Sequence, residues 1–243
     1  MTTPLLEVCV ADAESLTAAI AGGADRIELC SALELGGLTP APGLIRLAAK
    51  APIPVYAMVR PRSGDFVFTP DELDIMRADL DAIRGAGLAG AVIGASRRDG
   101  TLDADMLRHL RDHARGLGLT LHRAFDLVPD FAAAVETAIE LGIERILTSG
   151  GARSVPEGMA ALRSIHATAR GRISIMPGGG LTAQNVGVLL KTVPVTEVHS
   201  SCSLSRVTSD QRAVELNLAE HSHRRTSAET VAAFKTALNR PSG

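Results

Sequence analysis

The chain has 243 residues, 46% of them hydrophobic and 21% charged, with 25 basic against 27 acidic side chains and a net charge of −2. Such a chain can bury a full core, but it has no Lys/Arg block for nucleic acid, and with 2% aromatics and no Trp it lacks stacking platforms for single strands. No apolar run nears the roughly 18 residues of a membrane span, acids appear early where a signal peptide would be basic and then apolar, and three cysteines do not suggest a disulfide framework. The expectation is a cytoplasmic protein with reduced thiols and no nucleic-acid or membrane partner.

In chain order, hydrophobic patterning predicts a strand at 6–10 (LEVCV), a helix at 13–21 stopped by Gly22-Gly23, and a strand at 26–30 (RIELC). A helix at 44–50 leads through API-P into a strand at 55–61. The next helix, 70–84, has Thr69 as N-cap, Pro70 at its first position and acids in its first turn. Then follow a strand at 90–96, a helix at 102–115, a strand at 120–125, a helix at 131–140 and a strand at 145–150. A helix at 156–169, a strand at 173–178, a helix at 183–191 and a strand at 197–201 complete the alternation. The polar stretch around 202–227 reads as a mobile connection before a last helix at 228–238, capped by Ser227.

Eight βα units in under 250 residues, with no break in composition, favour one closed (β/α)8 TIM barrel over residues 1–243 rather than an open doubly wound sheet. In a barrel, alternate strand residues face the lumen. Putting the aliphatics outward sends Glu7, Cys9, Arg26, Glu28, Cys30, Arg60, His122, Glu197 and His199 inward, with Asp126 near the exit. Barrel lumens are normally packed with branched aliphatics, and active sites gather at the C-terminal mouth. Glu7, Glu28, Arg60, His122, Asp126 and His199 are therefore the catalytic candidates. Glu28 and Arg60, on neighbouring strands, could alternatively form a buried ion pair that fixes register.

Two glycine-rich strand ends, LTSGG (Ser149, Gly150, Gly151) and MPGGG (Gly178, Gly179, Gly180), offer backbone N–H groups to an anion. Arg62, in RPRSGDF after the third strand, could clamp a carboxylate or phosphate.

The ordered set LEVCV, GGADRIELC, GGLTP, RPRSGDF, HRAFD, LTSGG, IMPGGG and EVHSS resembles the CutC family, the so-called copper homeostasis proteins, from about residue 5 to 201. The resemblance implies a cytoplasmic single-domain (β/α)8 barrel with a role in copper handling, binding Cu(I) through Cys9 and Cys30. Two departures stand out: Ser63 where the family usually has glycine, and Cys202, which is not recognised as a family position. Soft thiolates select Cu(I), and adjacent strands about 4.8 Å apart would let two inward cysteines reach one ion. The competing reading is an isomerase or lyase acting on a small anionic or phosphorylated substrate, since no nucleotide fingerprint points to hydride transfer. Neither reading excludes a homo-oligomer.

Overall fold

A computed structural model describes residues 3–239. Eight parallel strands alternate with helices: β1 (Leu5–Val10), α1 (Ala13–Ala21), β2 (Arg26–Leu29), α2 (Pro42–Ala48), β3 (Val55–Met58), α3 (Pro70–Gly85), β4 (Gly90–Ile93) and α4 (Ala104–His113). The series continues with β5 (Gly118–Leu121), α5 (Phe131–Glu140), β6 (Arg145–Thr148), α6 (Met159–Ala169), β7 (Ser174–Pro177), α7 (Val186–Thr192) and β8 (Glu197–Ser200). The ladder runs in sequence order from β1 to β7, and β8 pairs with β1. Closure between β7 and β8 rests on one parallel bridge, Gly178 to His199, so the sheet forms a nearly closed barrel.

The period-two pattern sorts the side chains as anticipated. Leu6, Val8, Val10, Ile27, Leu29, Val55, Ala57, Ala91, Ile93 and Val198 lie in the main core, between strands and helices. The lumen-facing alternates include a small separate cluster of Cys30, Tyr56, Met58 and Val92. Gly90 makes room for this layer, because a Cβ there would lie 2.2 Å from the Tyr56 ring.

Helix signals also act where they were read. Thr69 accepts from the Glu72 amide while the Glu72 carboxylate accepts from the Thr69 amide, a complete capping box that starts α3 beside Pro70. Asp12, which the sequence reading did not single out, caps α1 by accepting from Ser15 N at 2.8 Å.

Two segments differ most from the sequence expectation, while β3, β4 and β6 end two or three residues early. First, the stretch after β8 carries regular structure: β9 (Ser203–Val207) and β10 (Ser222–Thr226) pair antiparallel across a short helix α8 (Gln211–Glu215), before α9 (Ala228–Leu238). Its polar, charged composition masked a hairpin that lies mostly in solvent and needs no apolar face. Second, β5 ends at Leu121 rather than running to Phe125. His122 instead caps a 3-10 helix over Arg123–Leu127, its Nδ1 accepting from Ala124 N at 3.1 Å. Local side-chain capping here wins over strand propensity.

Candidate active site at the barrel mouth

The lumen is charged where most barrels are aliphatic. At its N-terminal floor, Arg26 donates to Glu7 through Nε and to Glu197 through Nη2 at 2.5 Å. Arg145 lies 3.3 Å from the same Glu197 and 3.0 Å from Glu144, which also accepts from the Tyr56 hydroxyl at 3.0 Å. Both guanidinium groups lie over the Tyr56 ring, at 5.4 and 4.7 Å from its centroid. Arg145 was not singled out in the sequence, since it reads as the ordinary first residue of a strand.

Above this floor, Cys9, Glu28 and His199 each stand one residue before the C-terminal end of their strand. Their donor atoms all lie within 4.8 Å of one another. The strand register explains the convergence: β1 aligns Cys9 with Glu28 of β2, and Glu7 with His199 of β8. His199 Nδ1 is 2.9 Å from Glu7 Oε1, and His199 Nε2 is 3.7 Å from Glu28 Oε2. Glu7 is fully buried, whereas Cys9 and His199 keep 8% and 7% of their surface, so the thiol and ring form the outward edge of the cluster.

These surroundings pull two carboxyls apart. Burial would raise Glu7, but its contacts with His199 and Arg26 prevail and bring it down to about 2. Glu28 is pushed up to about 7, by burial first and then by the charge of Glu7, against the opposing pull of His199. Glu28 Oε1 is buried without a hydrogen-bond partner among the described residues. For His199, burial disfavours the charged ring, but Cys9, Glu28 and Glu7 outweigh it and raise its affinity for a proton.

Arg60 and His122 belong to a neighbouring patch at the mouth, and Arg60 does not pair with Glu28. Arg60 donates to the carbonyls of Leu35, Gly37 and Gly64 at 2.9, 3.1 and 2.8 Å and lies over the Phe66 ring. Among the described residues it has no carboxylate partner, so its charge is not neutralised locally. His122 packs against Phe66 with ring centroids 4.8 Å apart and leaves Nε2 buried and unpartnered. Burial and the nearby Arg60 lower His122 to about 3, so it is neutral at ordinary pH.

Asp126 sits elsewhere, and it occupies part of the expected anion site. Its carboxylate accepts from the amides of Ser149 and Gly151 at 3.1 and 3.0 Å and from the Thr148 hydroxyl at 2.5 Å. The Ser149 and Gly151 amides are thereby already bound to an internal anion, and the Gly150 amide donates to the Thr148 hydroxyl at 2.9 Å. Arg62 is likewise committed: it donates to Glu72 at 2.5 Å, to Asp65 at 3.0 Å and to the Val67 carbonyl at 2.8 Å. Gly178 N donates to Thr148 O at 3.0 Å, while the amides of Gly179 and Gly180 meet no protein acceptor among the described residues. Beside them stands Arg123, overlooked in the sequence as part of a strand. It donates to Asp126 at 2.7 Å and to Ser149 Oγ at 2.6 Å, and its Nη1 lies 3.4 Å from where a Gly179 Cβ would be.

The two expected copper ligands, Cys9 and Cys30, have different surroundings, and only Cys9 belongs to the three-donor cluster. Cys30 is fully buried among Tyr56, Met58 and Val92, beside Gly37, and its thiol is pushed well up by burial and by the adjacent Glu28. Cys202 packs in the outer core and is raised to about 11, mainly by burial. The convergent set offers one thiol, one imidazole and one carboxylate, a poor match for the two soft thiolates anticipated for Cu(I). No helix among the described residues is long and apolar enough to cross a membrane.

Comparison with known proteins agrees with this architecture. A protein of Sinorhizobium medicae named CutC is 59% identical over 97% of this chain and 96% of its own length. A CutC protein of Vibrio campbellii is 50% identical over 83% of each. The crystal structure of CutC from Streptococcus agalactiae, whose name refers to copper homeostasis, superposes with a TM-score of 0.78 at 31% identity, covering 82% of this chain and 98% of that one. A thiamine phosphate pyrophosphorylase from Pyrococcus furiosus, at 13% identity and a TM-score of 0.60, shares the fold alone. The CutC family model matches residues 4–204, and the chain belongs to the CutC family.

Proposed function

We propose that this barrel is an enzyme of isomerase or lyase type, acting by acid–base chemistry on a small anionic substrate at its C-terminal mouth. The observation that carries the reading is His199 held between two carboxyls with opposite tendencies, Glu7 at about 2 and Glu28 at about 7. Paired groups pushed apart in this way divide labour: one stays ionised and orients, the other gives and takes protons near neutral pH. Glu7 fixes the His199 ring, Glu28 moves the proton, and the unneutralised Arg60 supplies attraction for an anion. The Gly179 and Gly180 amides with Arg123 offer a second anchor at the rim.

The test is carbon-bound deuterium exchange into pyruvate and glyceraldehyde 3-phosphate in D2O, followed by NMR. Catalysed exchange in either probe, slowed at least about 100-fold by Glu28→Gln, supports the reading. Absence of exchange in both, with no response of the His199 ring signals to either probe, counts against it.

Copper handling through Cys9 and Cys30 is the second reading. Its support is the family resemblance and the position of Cys9 at the mouth beside His199. Cu(I) titration decides it: a two-thiol site loses its stoichiometric ion in Cys30→Ser, whereas unchanged uptake removes Cys30 from the ligand set.

A further inference from the structure

The acid–base reading leaves the Cys9 thiol of the cluster without a task. Cys9 and His199 are the more accessible members of the convergent set, with 8% and 7% of their surface accessible, against 3% for Glu28. The Cys9 sulfur lies within 4.8 Å of a His199 ring nitrogen, and Nδ1 of that ring is 2.9 Å from Glu7 Oε1. Thiol, imidazole and carboxylate in this order form the arrangement by which a nucleophile is activated: a base beside it, and a third group fixing the base. The three come from β1 and β8, whose register sets Glu7 opposite His199 and leaves Cys9 two residues further toward the mouth.

We propose that Cys9 is a nucleophile, with His199 as its base and Glu7 as the orienting carboxylate, and that it adds to the carbonyl carbon of a small anionic aldehyde or keto substrate. This rests on the reading of the barrel as an enzyme and adds a covalent step to it. The Cys9 thiol proton passes to His199, the sulfur electron pair forms the S–C bond, and the carbonyl π pair moves onto oxygen. Glu28 in its protonated form delivers a proton to that oxygen, giving a hemithioacetal. Collapse reverses each transfer, so no oxidant or reductant is required. The unneutralised Arg60 at the mouth favours the anionic form of the substrate.

The three cysteines fall in three different tryptic peptides, 1–26, 27–46 and 192–206, so their reactivities can be followed separately in the unmodified protein. The experiment is alkylation of the folded chain by iodoacetamide and by iodoacetate near pH 6.5, with each peptide quantified by mass spectrometry. Cys9 is expected to react at least about tenfold faster than Cys30 and Cys202, to prefer the anionic reagent, and to slow at least about tenfold in His199→Gln and in Glu7→Gln. The second variant keeps the test open if the first fails to fold. Cys9 labelling at or below the rate of Cys202, or a rate unchanged in a folded Glu7→Gln variant, overturns the nucleophile. Deuterium exchange retained in Cys9→Ser, alongside inert labelling, would remove the covalent step while leaving the acid–base reading intact.

Discussion

The Asp126 carboxylate accepts a hydrogen bond from the Gly151 amide at 3.0 Å, closing the loop after β6 on an acid from the loop after β5. The same carboxylate satisfies Ser149 N and the Thr148 hydroxyl, so one side chain stands where a bound anion was expected. Asp126→Ala leaves those donors unmatched and is expected to cost roughly 2–4 kcal/mol, from about 1–3 kcal/mol for each buried group left unsatisfied. Denaturant unfolding reads the loss, and a change below about 0.5 kcal/mol would show that the loop holds itself without the acid.

Glu7 carries two loads, Arg26 below it and His199 above. Glu7→Ala removes one of the two carboxylates that pair with the buried Arg26 and is expected to destabilise by roughly 3–5 kcal/mol. Glu7→Gln keeps the shape and a hydrogen-bond acceptor, so it should lose clearly less. Equal losses in the two variants, measured by thermal and denaturant unfolding, would mean that packing rather than charge is decisive.

The elevated Glu28 gives a signed pH effect. A carboxyl whose folded value is raised from 4.5 to about 7 favours the fold in its protonated form. That contribution is complete below pH 4.5 and is lost as pH rises through about 7. Glu28→Gln removes the titration. The variant should match the wild type near pH 4.5 and exceed it at pH 8, by roughly 1–3 kcal/mol. A constant difference across that range would place the ionisation elsewhere.

His122 behaves in the opposite sense. Its ring is held neutral, with a folded value of about 3 against 6.5 when free, so its stabilisation is present above pH 6.5 and is lost as pH falls toward 3. His122→Gln should flatten the acid limb of the stability profile. The ring also fills the space above Gly94, where a Cβ would come within 2.2 Å of it. Gly94→Ala is therefore expected to displace the imidazole and shift its NMR titration upward, toward that of a free histidine; an unmoved titration would contradict this packing.

Much of the barrel was readable because parallel strands buried on both faces, punctuated by caps and glycines, leave a strong imprint. Thr69 and Pro70 start α3 as read, and alternation alone sent Glu7, Glu28 and His199 to one lumen. The errors are of two physical kinds. HRAFD has the composition of a strand, but His122 captures the Ala124 amide and turns the chain, so Arg123 and Asp126 reach the β6 loop. Pairing partners are the other kind: strand direction shows that Glu28 and Arg60 face inward, yet only three-dimensional register shows that Arg26 takes Glu7 and that Arg60 points to carbonyls. Cys30 illustrates the same gap: alternation sends it inward, and only the packed structure shows it against Tyr56, Met58 and Val92.

The single bridge between β7 and β8 has a mechanical consequence. With so little backbone pairing at that seam, side chains from strands on either side hold the cylinder shut: Arg145 of β6 reaches Glu197 of β8, and Arg26 of β2 reaches Met176 of β7. The floor of the site is thus also the clasp of the barrel. Charges that in another protein would be tuned only for chemistry are here constrained by architecture, so the lower layer can vary little, and changes of specificity have to be made at the rim.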